Sequence, residues 1–373
     1  MRTLEKIYII SGERSGDLHA SNLVLALKSL NSKLRFRGMG GNYSKNAGVH
    51  LALDYAVISL MGFIEVVFGF RKVLKALTLV KKDLLAYQAD LVILVDFGGF
   101  NMKIAAFATQ HGIPVHYYIP PKVWAWNQKR ALKLQSITDK VYSILPFEPD
   151  FFSKFGMSVQ YVGNPLLDEI KKFVPNDLFI HKNELSSHPI VALLPGSRSQ
   201  EVDSMLEKMI ALVPDFPQVQ FVIAGVDSLS VATYELAQAK GIKVIYNQTY
   251  DLLSHATAAV VTSGTATLET TLFNVPQVVV YSTSWLSYQI GKRLIRVPYI
   301  SLPNLIADHQ VVRELIQNEF SLENLQQELG LLLSHLGHRK QILEGYAKIR
   351  ERIGEARASD QVAQFILESI AKK

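Results

Sequence analysis

Short apolar runs alternate with helical repeats along most of the chain, and a polar or glycine-containing turn follows many of these runs. Nearly continuous apolar runs of this length are typical of buried strands. The runs that predict strands are 6–10, 90–95, 115–118, 141–145, 159–162, 190–194, 259–262 and 276–281. Their alternation with helical patterns predicts an α/β fold class built on doubly wound sheets. From about residue 311 to residue 371 the pattern predicts helix throughout.

The turn after the run 259–262 is a candidate phosphate-binding site, because a helical pattern begins directly after it. Unpaired backbone N–H groups and the positive end of the helix dipole favour an anion at such a turn. Gly264 lets the backbone approach a ligand, and the hydroxyls of Ser263 and Thr265 can donate hydrogen bonds. Glu269 lies one helical turn further on, where it can accept from a sugar or ribose hydroxyl. Taken alone, such a turn is more often an ordinary helix N-cap than a ligand site.

A second turn of the same kind follows the run 190–194. Gly196 and Ser197 again offer backbone and hydroxyl donors, and Arg198 adds a planar cation suited to phosphate oxygens. Glu201 stands where the next helical pattern begins. Two such turns in one half of the chain favour a diphosphate, with a nucleotide as its simplest carrier.

The first strand of the chain also runs into a glycine-containing turn, which is the usual place for ligand contact in a doubly wound sheet. Gly12, Ser15, Gly16 and Asp17 are the candidate contacts there. The chain lacks a dinucleotide fingerprint, because Tyr43 occupies the third glycine position of the nearest match. This argues against a dehydrogenase.

Asp96 stands at the carboxyl end of the run 90–95, where ligands gather in open α/β sheets. An acid in such partly apolar surroundings is a candidate general base. The alternative is that Asp96 only caps the helix that begins near Asn101. Trp124, in a loop with two prolines, predicts a sugar platform or packing near the site, whereas stacking on nucleic acid is the less favoured interpretation.

The helical stretch 60–82 has an apolar face with a fringe of lysines and one arginine. It resembles an interfacial membrane helix or a groove for an apolar substrate, and a core helix with snorkelling lysines is an equally good interpretation. The membrane or acyl-chain candidates are Met61, Phe63, Ile64, Val67 and Phe70, and the face continues through Leu74 and Leu77.

The 373 residues suffice for about two domains of roughly 150 residues each. We expect an N-terminal domain over 1–164, a nucleotide-binding domain over 165–345, and C-terminal helices over 346–373 that can dock back on the first domain. The absence of cysteine excludes disulfides and thiolate nucleophiles, and fits a reducing cytoplasm. The net charge of +6 suits anionic lipid or phosphate-bearing substrates as well as nucleic acid. No signal peptide or spanning segment is evident, so we expect a cytoplasmic protein that is at most peripheral to a membrane.

Taken together, the motifs resemble the lipid-A-disaccharide synthases, a glycosyltransferase family with two Rossmann-like domains facing across a cleft (GT-B). The segments that carry the resemblance are 11–17, 61–66, 96–101, 123–126, 145–148, 194–201, 263–269 and 301–305. The resemblance implies transfer of diacylglucosamine from UDP to the 6'-hydroxyl of diacylglucosamine 1-phosphate, with inversion to a β-1,6 linkage. Its implied location is the cytoplasmic face of the inner membrane.

The resemblance also implies roles for particular residues. Asp96 would be the base for the acceptor hydroxyl, and Arg198 with the two turns would hold the diphosphate. Asn304 is a loop amide that can contact a base or sugar edge. No Asp-x-Asp pattern occurs, so neither a metal nor another cofactor is signalled. The expected partners are the two lipid substrates and the membrane surface, without nucleic acid, and a homodimer is left open.

Two positions depart from the family pattern. Gly99 stands where members often carry a second aspartate, and Asn164 stands where they often carry a histidine. Two alternatives to the main interpretation remain. One is another GT-B enzyme acting on UDP-N-acetylglucosamine, such as the peptidoglycan N-acetylglucosaminyltransferase or a 2-epimerase. The other is a non-catalytic nucleotide-sugar-binding protein.

Overall fold

The computed structural model describes residues 4–59, 66–355 and 357–371. The chain forms two compact units. Unit 1 consists of Met1–Asp168 and Glu355–Lys373, and unit 2 of Glu169–Gly354. The chain therefore leaves unit 1 once and returns to it at the C-terminus.

Thirteen strands form the two sheets within the described residues. They are β1 (Lys6–Ile10), β2 (Arg35–Gly40), β3 (Val49–Asp54), β4 (Leu91–Val95), β5 (Val115–Tyr118), β6 (Lys140–Ser143), β7 (Gln160–Tyr161), β8 (Ile190–Leu194), β9 (Gln220–Gly225), β10 (Lys243–Tyr246), β11 (Ala256–Thr262), β12 (Gln277–Tyr281) and β13 (Glu314–Ile316).

The helices connect and cover these strands. They are α1 (Arg14–Leu30), α2 (Asn42–Asn46), α3 (Ala56–Ser59), α4 (Val66–Tyr87), α5 (Gly98–Gln110), α6 (Arg130–Ser136), α7 (Glu148–Ser153), α8 (Pro165–Lys172), α9 (Phe179–Lys182), α10 (Ser199–Ile210), α11 (Glu235–Ala239), α12 (Thr249–His255), α13 (Thr265–Leu272), α14 (Trp285–Leu294), α15 (Leu302–Ala307), α16 (Leu322–Ser334), α17 (Leu336–Ile353) and α18 (Ala358–Ala371). Short 3-10 turns lie at Val213–Asp215, Val231–Tyr234 and Gln317–Glu319.

Each unit contains one parallel sheet whose strand order changes direction at its centre. In unit 1 the order is β3-β2-β1-β4-β5-β6-β7, and in unit 2 it is β10-β9-β8-β11-β12-β13. The changes of direction lie between the paired strands β1 and β4, and between the paired strands β8 and β11. Loops that leave the carboxyl ends of such strands diverge and open a crevice, which is where doubly wound sheets bind ligands.

The central strands are buried on both faces, which explains their nearly continuous apolar sequence. All five residues of β4 are buried, and so are all five of β8. In unit 1, alternate residues of β1 enter different cores: Tyr8 and Ile10 pack in one cluster, and Ile7 and Ile9 in the other. Burial of both faces by helices is the arrangement expected of an all-parallel sheet.

The last helix belongs to the core of unit 1. Val362, Ala363 and Ile366 of α18 are fully buried in the same cluster as Leu23 and Val24 of α1. The preceding helix α17 belongs to unit 2 over its whole length. The expectation of continuous helix from residue 311 was wrong in one place, because β13 pairs with β12 there and extends the sheet of unit 2.

Helix α4 has a core-facing side over its C-terminal part. Leu77, Val80 and Leu84 are buried in a core cluster of unit 1, whereas Leu74 remains 42% exposed. This part is therefore a core helix with an exposed outer face. The candidates Met61, Phe63 and Ile64 lie outside the described residues, as do the side chains of Val67 and Phe70. In the described ranges, we find no helix with the length and apolar content needed to cross a membrane.

Candidate active site

Asp96 terminates the central strand β4 in an unusual backbone conformation. Asp96 and Phe97 both have left-handed backbone angles, with φ of 51° and 49°, a region that costs energy for residues other than glycine. The Asn101 amide donates to the Asp96 carbonyl at 2.8 Å, and the Tyr117 hydroxyl donates to the same oxygen at 2.7 Å. The buried Asn101 therefore fixes the Asp96 turn through the backbone, and Tyr117, which the sequence pattern did not single out, helps it.

The glycine-containing loop after β1 packs directly against this turn. A Cβ atom on Gly12 would lie 2.2 Å from the Phe97 ring, so no larger residue fits at Gly12 unless that ring moves. A Cβ atom on Gly16 would be 3.8 Å from the Cβ of Asp96. The two loops thus meet at the crevice of unit 1. Their contact places the carboxyl group of Glu13 beside that of Asp96.

Burial is the main cause that raises the pKa of Asp96 to about 6. The negative charge of Glu13 and its hydrogen bond raise that pKa further, while Lys122 and the backbone N–H of Phe97 lower it. A carboxyl with this pKa is mostly ionised at neutral pH, yet it holds a proton more readily than an exposed aspartate. The sequence pattern did not single out Glu13 or Lys122, although Glu13 lies among the glycines already taken as contacts.

Asp17 serves the fold of unit 1. It is fully buried, and its carboxylate accepts hydrogen bonds from the backbone N–H groups of Gly41 at 2.8 Å and Tyr43 at 3.0 Å. The sequence made Asp17 a candidate ligand contact, and in the structure its carboxylate accepts hydrogen bonds from its own chain. The exposed Ser15 donates to Glu13 at 3.3 Å and so belongs to the surroundings of Asp96.

Trp124 packs within unit 1, and packing is one of the two roles that the sequence favoured for it. It is buried, and its indole N–H donates to Glu148 at 3.0 Å. Phe147 packs edge-on against it, with the ring centroids 5.0 Å apart. Burial raises the pKa of Glu148 to about 7. The more exposed indole of this loop belongs to Trp126, which lies 5.4 Å from the Arg130 guanidinium.

The two positions that depart from the family pattern have different surroundings in unit 1. The Asn164 amide donates to the Ile144 carbonyl at 3.1 Å, and its oxygen accepts from the N–H of Leu166 at 3.0 Å. Asn164 therefore fixes the start of α8. Gly99 is exposed, and a Cβ atom there would meet nothing within 4 Å.

In unit 2, the turn after β8 is shaped by Glu201. Gly196 has φ of 119°, and a Cβ atom on it would lie 2.8 Å from the Glu201 side chain. Glu201 accepts from the N–H of Ser197 at 3.2 Å and from the Arg198 guanidinium at 2.9 Å. Arg198 still has 77% of its side chain exposed, so a ligand can reach it.

The turn after β11 is open at the start of α13. Gly264 and Thr265 are exposed, and a Cβ atom on Gly264 would meet nothing within 4 Å. The Ser263 hydroxyl donates to the Ile300 carbonyl at 2.7 Å, so it holds a neighbouring loop. The open N–H groups at this helix start retain the geometry of an anion site.

Glu269 lies behind this turn and is partly buried. Burial raises its pKa, and the Tyr250 hydroxyl donates to one carboxylate oxygen at 3.1 Å. Among the described residues the other oxygen has no assigned donor, which leaves it able to accept from a ligand hydroxyl.

The amide of Asn304, a candidate contact from the sequence, makes its hydrogen bonds within unit 2. It is buried, and its N–H₂ group donates to the Val312 carbonyl at 2.9 Å and to Glu314 at 2.8 Å. Its oxygen accepts from the N–H groups of Val311 and Val312 at 2.8 and 3.0 Å. Glu314 also accepts from the Ser301 hydroxyl at 2.6 Å. Asn304 thus holds the loop behind the open turn, and its contact with a base or sugar stays a prediction.

We expect Asn304→Ala to lower the stability of unit 2 by about 2–4 kcal/mol, since buried donors and acceptors would lose their partners. Urea unfolding followed by circular dichroism measures this. Asn324→Ala is the matched control, because the Asn324 amide makes one exposed hydrogen bond, to the Glu319 carbonyl. An unchanged unfolding midpoint together with a loss of nucleotide affinity would instead support direct contact of Asn304 with the nucleotide.

Across the residues that the structure describes, no three His, Asp or Glu side chains are grouped as metal ligands. The polar groups at each crevice are instead hydrogen-bond donors, one exposed guanidinium and carboxylates.

Comparison with known proteins gives both a family and a fold. The model of the family described as lipid-A-disaccharide synthetase matches residues 7–367. The lipid-A-disaccharide synthase of Geobacter metallireducens is 36% identical over 377 residues, which cover 99% of this chain and 98% of the relative. A solved UDP-N-acetylglucosamine 2-epimerase has a TM-score of 0.66 at 15% identity, covering 100% of this chain and 98% of its own. The calicheamicin glycosyltransferase CalG4 has a TM-score of 0.64 at 15% identity, with 98% and 99% covered. The likenesses in structure confirm the predicted fold of two doubly wound α/β domains.

Proposed function

The chain belongs to the lipid-A-disaccharide synthetase family, and we propose that it catalyses its transfer by one inverting displacement with Asp96 as general base. The enzyme is a glycosyltransferase that joins UDP-2,3-diacylglucosamine and 2,3-diacylglucosamine 1-phosphate to the β-1,6-linked disaccharide 1-phosphate, and it releases UDP. The observation that supports the base is the fixed turn at the carboxyl end of β4, with the Asp96 pKa raised to about 6.

In this proposal unit 2 binds the donor. The exposed Arg198 and the N–H groups of the turns at Gly196–Ser197 and Ser263–Thr265 offset the negative charge that develops on the leaving diphosphate. Glu269 accepts from a sugar or ribose hydroxyl through its available oxygen. Asn304 acts on the site only through the backbone that it holds.

The chemical step transfers one proton and exchanges one bond at the anomeric carbon. The acceptor 6'-oxygen attacks that carbon while Asp96 takes the hydroxyl proton. The bond to the diphosphate oxygen breaks, and its electron pair leaves with UDP. Attack opposite the leaving group inverts the centre, as in single-step inverting glycosidases. Asp96 then returns the proton to water.

We further propose that the protein works as a peripheral protein on the cytoplasmic face of the inner membrane, where its diacylated substrates are embedded. The segment 61–70 is the candidate anchor, from its sequence alone. Mass photometry of the purified chain would test whether it forms a homodimer.

The reaction itself has a direct test. Purified protein mixed with the UDP-diacylglucosamine donor and the diacylglucosamine 1-phosphate acceptor should release UDP and form a disaccharide, detected by mass spectrometry. Conversion of UDP-N-acetylglucosamine to its 2-epimer, without disaccharide, would favour a 2-epimerase. UDP-sugar binding without turnover of either substrate would indicate a non-catalytic binding protein.

We expect the pH dependence of kcat/KM to report Asp96. The base must be ionised, so activity should fall as the pH drops through about 6 and should level off above that value. Glu13→Gln removes a negative charge beside Asp96, so the acid limb of the profile should move to lower pH. Glu5→Gln is the control, because this exposed acid pairs with Arg35 elsewhere in unit 1. An acid limb unmoved by Glu13→Gln would contradict the coupling of the two carboxyl groups.

A further inference from the structure

Unit 2 exposes an apolar and basic segment that the proposed chemistry does not use. The segment 285–296 consists of α14 and the two residues after it. Trp285 is 72% exposed, Leu294 50% and Ile295 45%. Exposed apolar residues that occur singly are ordinary, whereas three within one twelve-residue segment, including a mostly exposed tryptophan, point to an interaction surface.

Three cations of this segment have no ion pair with an acid among the described residues. Lys292, Arg293 and Arg296 are exposed, and no Asp or Glu occurs anywhere in 270–307. Within the described ranges none of these cations is assigned an ion pair. The segment therefore carries a local charge of +3 that the fold does not neutralise.

The segment begins as a capped helix, and its described side chains are at least partly exposed. Ser284 caps α14, since its hydroxyl accepts from the N–H of Ser287 at 3.3 Å. Trp285, Tyr288 and Lys292 follow the i, i+3, i+7 spacing of one helix face. None of the described side chains in 285–296 is buried. Core packing therefore does not explain the exposed Trp285, Leu294 and Ile295.

We propose that the segment 285–296 is a membrane-contact surface of unit 2 that docks on an anionic lipid bilayer. Lysine and arginine pair with lipid phosphates, and tryptophan with neighbouring aliphatic side chains enters the headgroup and acyl boundary. The proposal rests on the proposed function in one respect: both substrates carry acyl chains, which makes a bilayer the natural occupant. The surface 285–296 is a membrane contact separate from the segment 61–70, and it lies on unit 2, which is proposed to bind the donor.

Vesicle co-sedimentation of the full-length protein tests this surface. Phosphatidylcholine vesicles are compared with vesicles in which a third of the lipid is phosphatidylglycerol, and the wild type should prefer the second kind. Lys292→Ser, Arg293→Ser and Arg296→Ser together should weaken binding to the anionic vesicles roughly a hundredfold, since each cation contributes about fivefold.

Matched controls separate this surface from general charge or hydrophobicity. The first control replaces three exposed lysines elsewhere, Lys45, Lys154 and Lys240, by serine, and should bind vesicles within a fewfold of the wild type. In a second comparison, Trp285→Ser with Leu294→Ser should lower binding to both kinds of vesicle about tenfold or more.

Three results would overturn the surface. The first is vesicle binding by the Lys292, Arg293 and Arg296 variant equal to that of the wild type, and the second is no vesicle binding by the wild type at all. The third is a change in oligomeric state with vesicle binding unchanged, which would assign the segment to a second copy of the chain. Turnover of detergent-dispersed substrates should be unchanged in all these variants. If the wild type showed no turnover of these substrates, that result would instead count against the proposed function.

Discussion

Asp96→Asn is expected to lower kcat for disaccharide formation by about a hundredfold to ten-thousandfold, while UDP affinity stays within about twofold of the wild type. A general base contributes a rate factor of this size, and an amide cannot take the acceptor proton. Asparagine has nearly the same shape, and the contacts of Asn101 and Tyr117 reach the backbone carbonyl of residue 96, so the turn should persist. Steady-state UDP release and calorimetric titration with UDP measure the two quantities.

Asp150→Asn is the matched control for this substitution. Asp150 is an exposed acid of unit 1 on α7, and its removal should change neither kcat nor UDP affinity. The unfolding midpoints of both variants should match that of the wild type. Retention of more than a tenth of the turnover by Asp96→Asn would remove Asp96 from the role of base.

Arg198→Ala should weaken donor binding about tenfold to a hundredfold. A charged hydrogen bond to a phosphate contributes about 1.5–3 kcal/mol, and the exposed guanidinium is the cation that the turn after β8 offers. Little stability should be lost, because the ion pair of Arg198 with Glu201 is mostly exposed. Arg198→Lys, which keeps the charge without the planar fork, should give an intermediate affinity.

The control for Arg198 is another arginine of unit 2 in a partly exposed ion pair. Arg313 binds Glu319 at 3.2 Å, and Arg313→Ala should leave UDP affinity unchanged. Titration calorimetry with UDP compares the variants directly. Equal UDP affinities for Arg198→Ala and the wild type would exclude Arg198 from the diphosphate site.

The central strands were predictable because a parallel strand that is buried on both faces requires apolar residues along most of its length. β1, β4, β8 and β11 are apolar through most of their length, and each ends at the predicted turn. Strand β2 was not predicted, since its sequence mixes two arginines with two glycines. Strand β13 has only three residues and lies among helical patterns, so its sequence does not predict a strand. Its pairing with β12 stabilises it.

The position of Asp96 followed from the sequence, but the roles of several polar neighbours did not. A polar residue beside a turn has the same sequence signature whether its partner is a ligand or the backbone. Asp17 and Asn304 make their hydrogen bonds within the chain. Glu314, which accepts from the Asn304 amide, lies ten residues away in the sequence. Trp124 was similarly ambiguous until its bond to Glu148 was seen. Three-dimensional proximity decides these cases.

The packing of α18 on α1 has a consequence for biogenesis. Ribosomal synthesis delivers all of unit 2 before the residues of α18, so the nascent chain carries an uncovered apolar patch around Leu23 and Val24 until α18 has been made. Maturation of the first-made half is thereby coupled to synthesis of α18, and products terminated before that helix present a hydrophobic surface to chaperones and proteases.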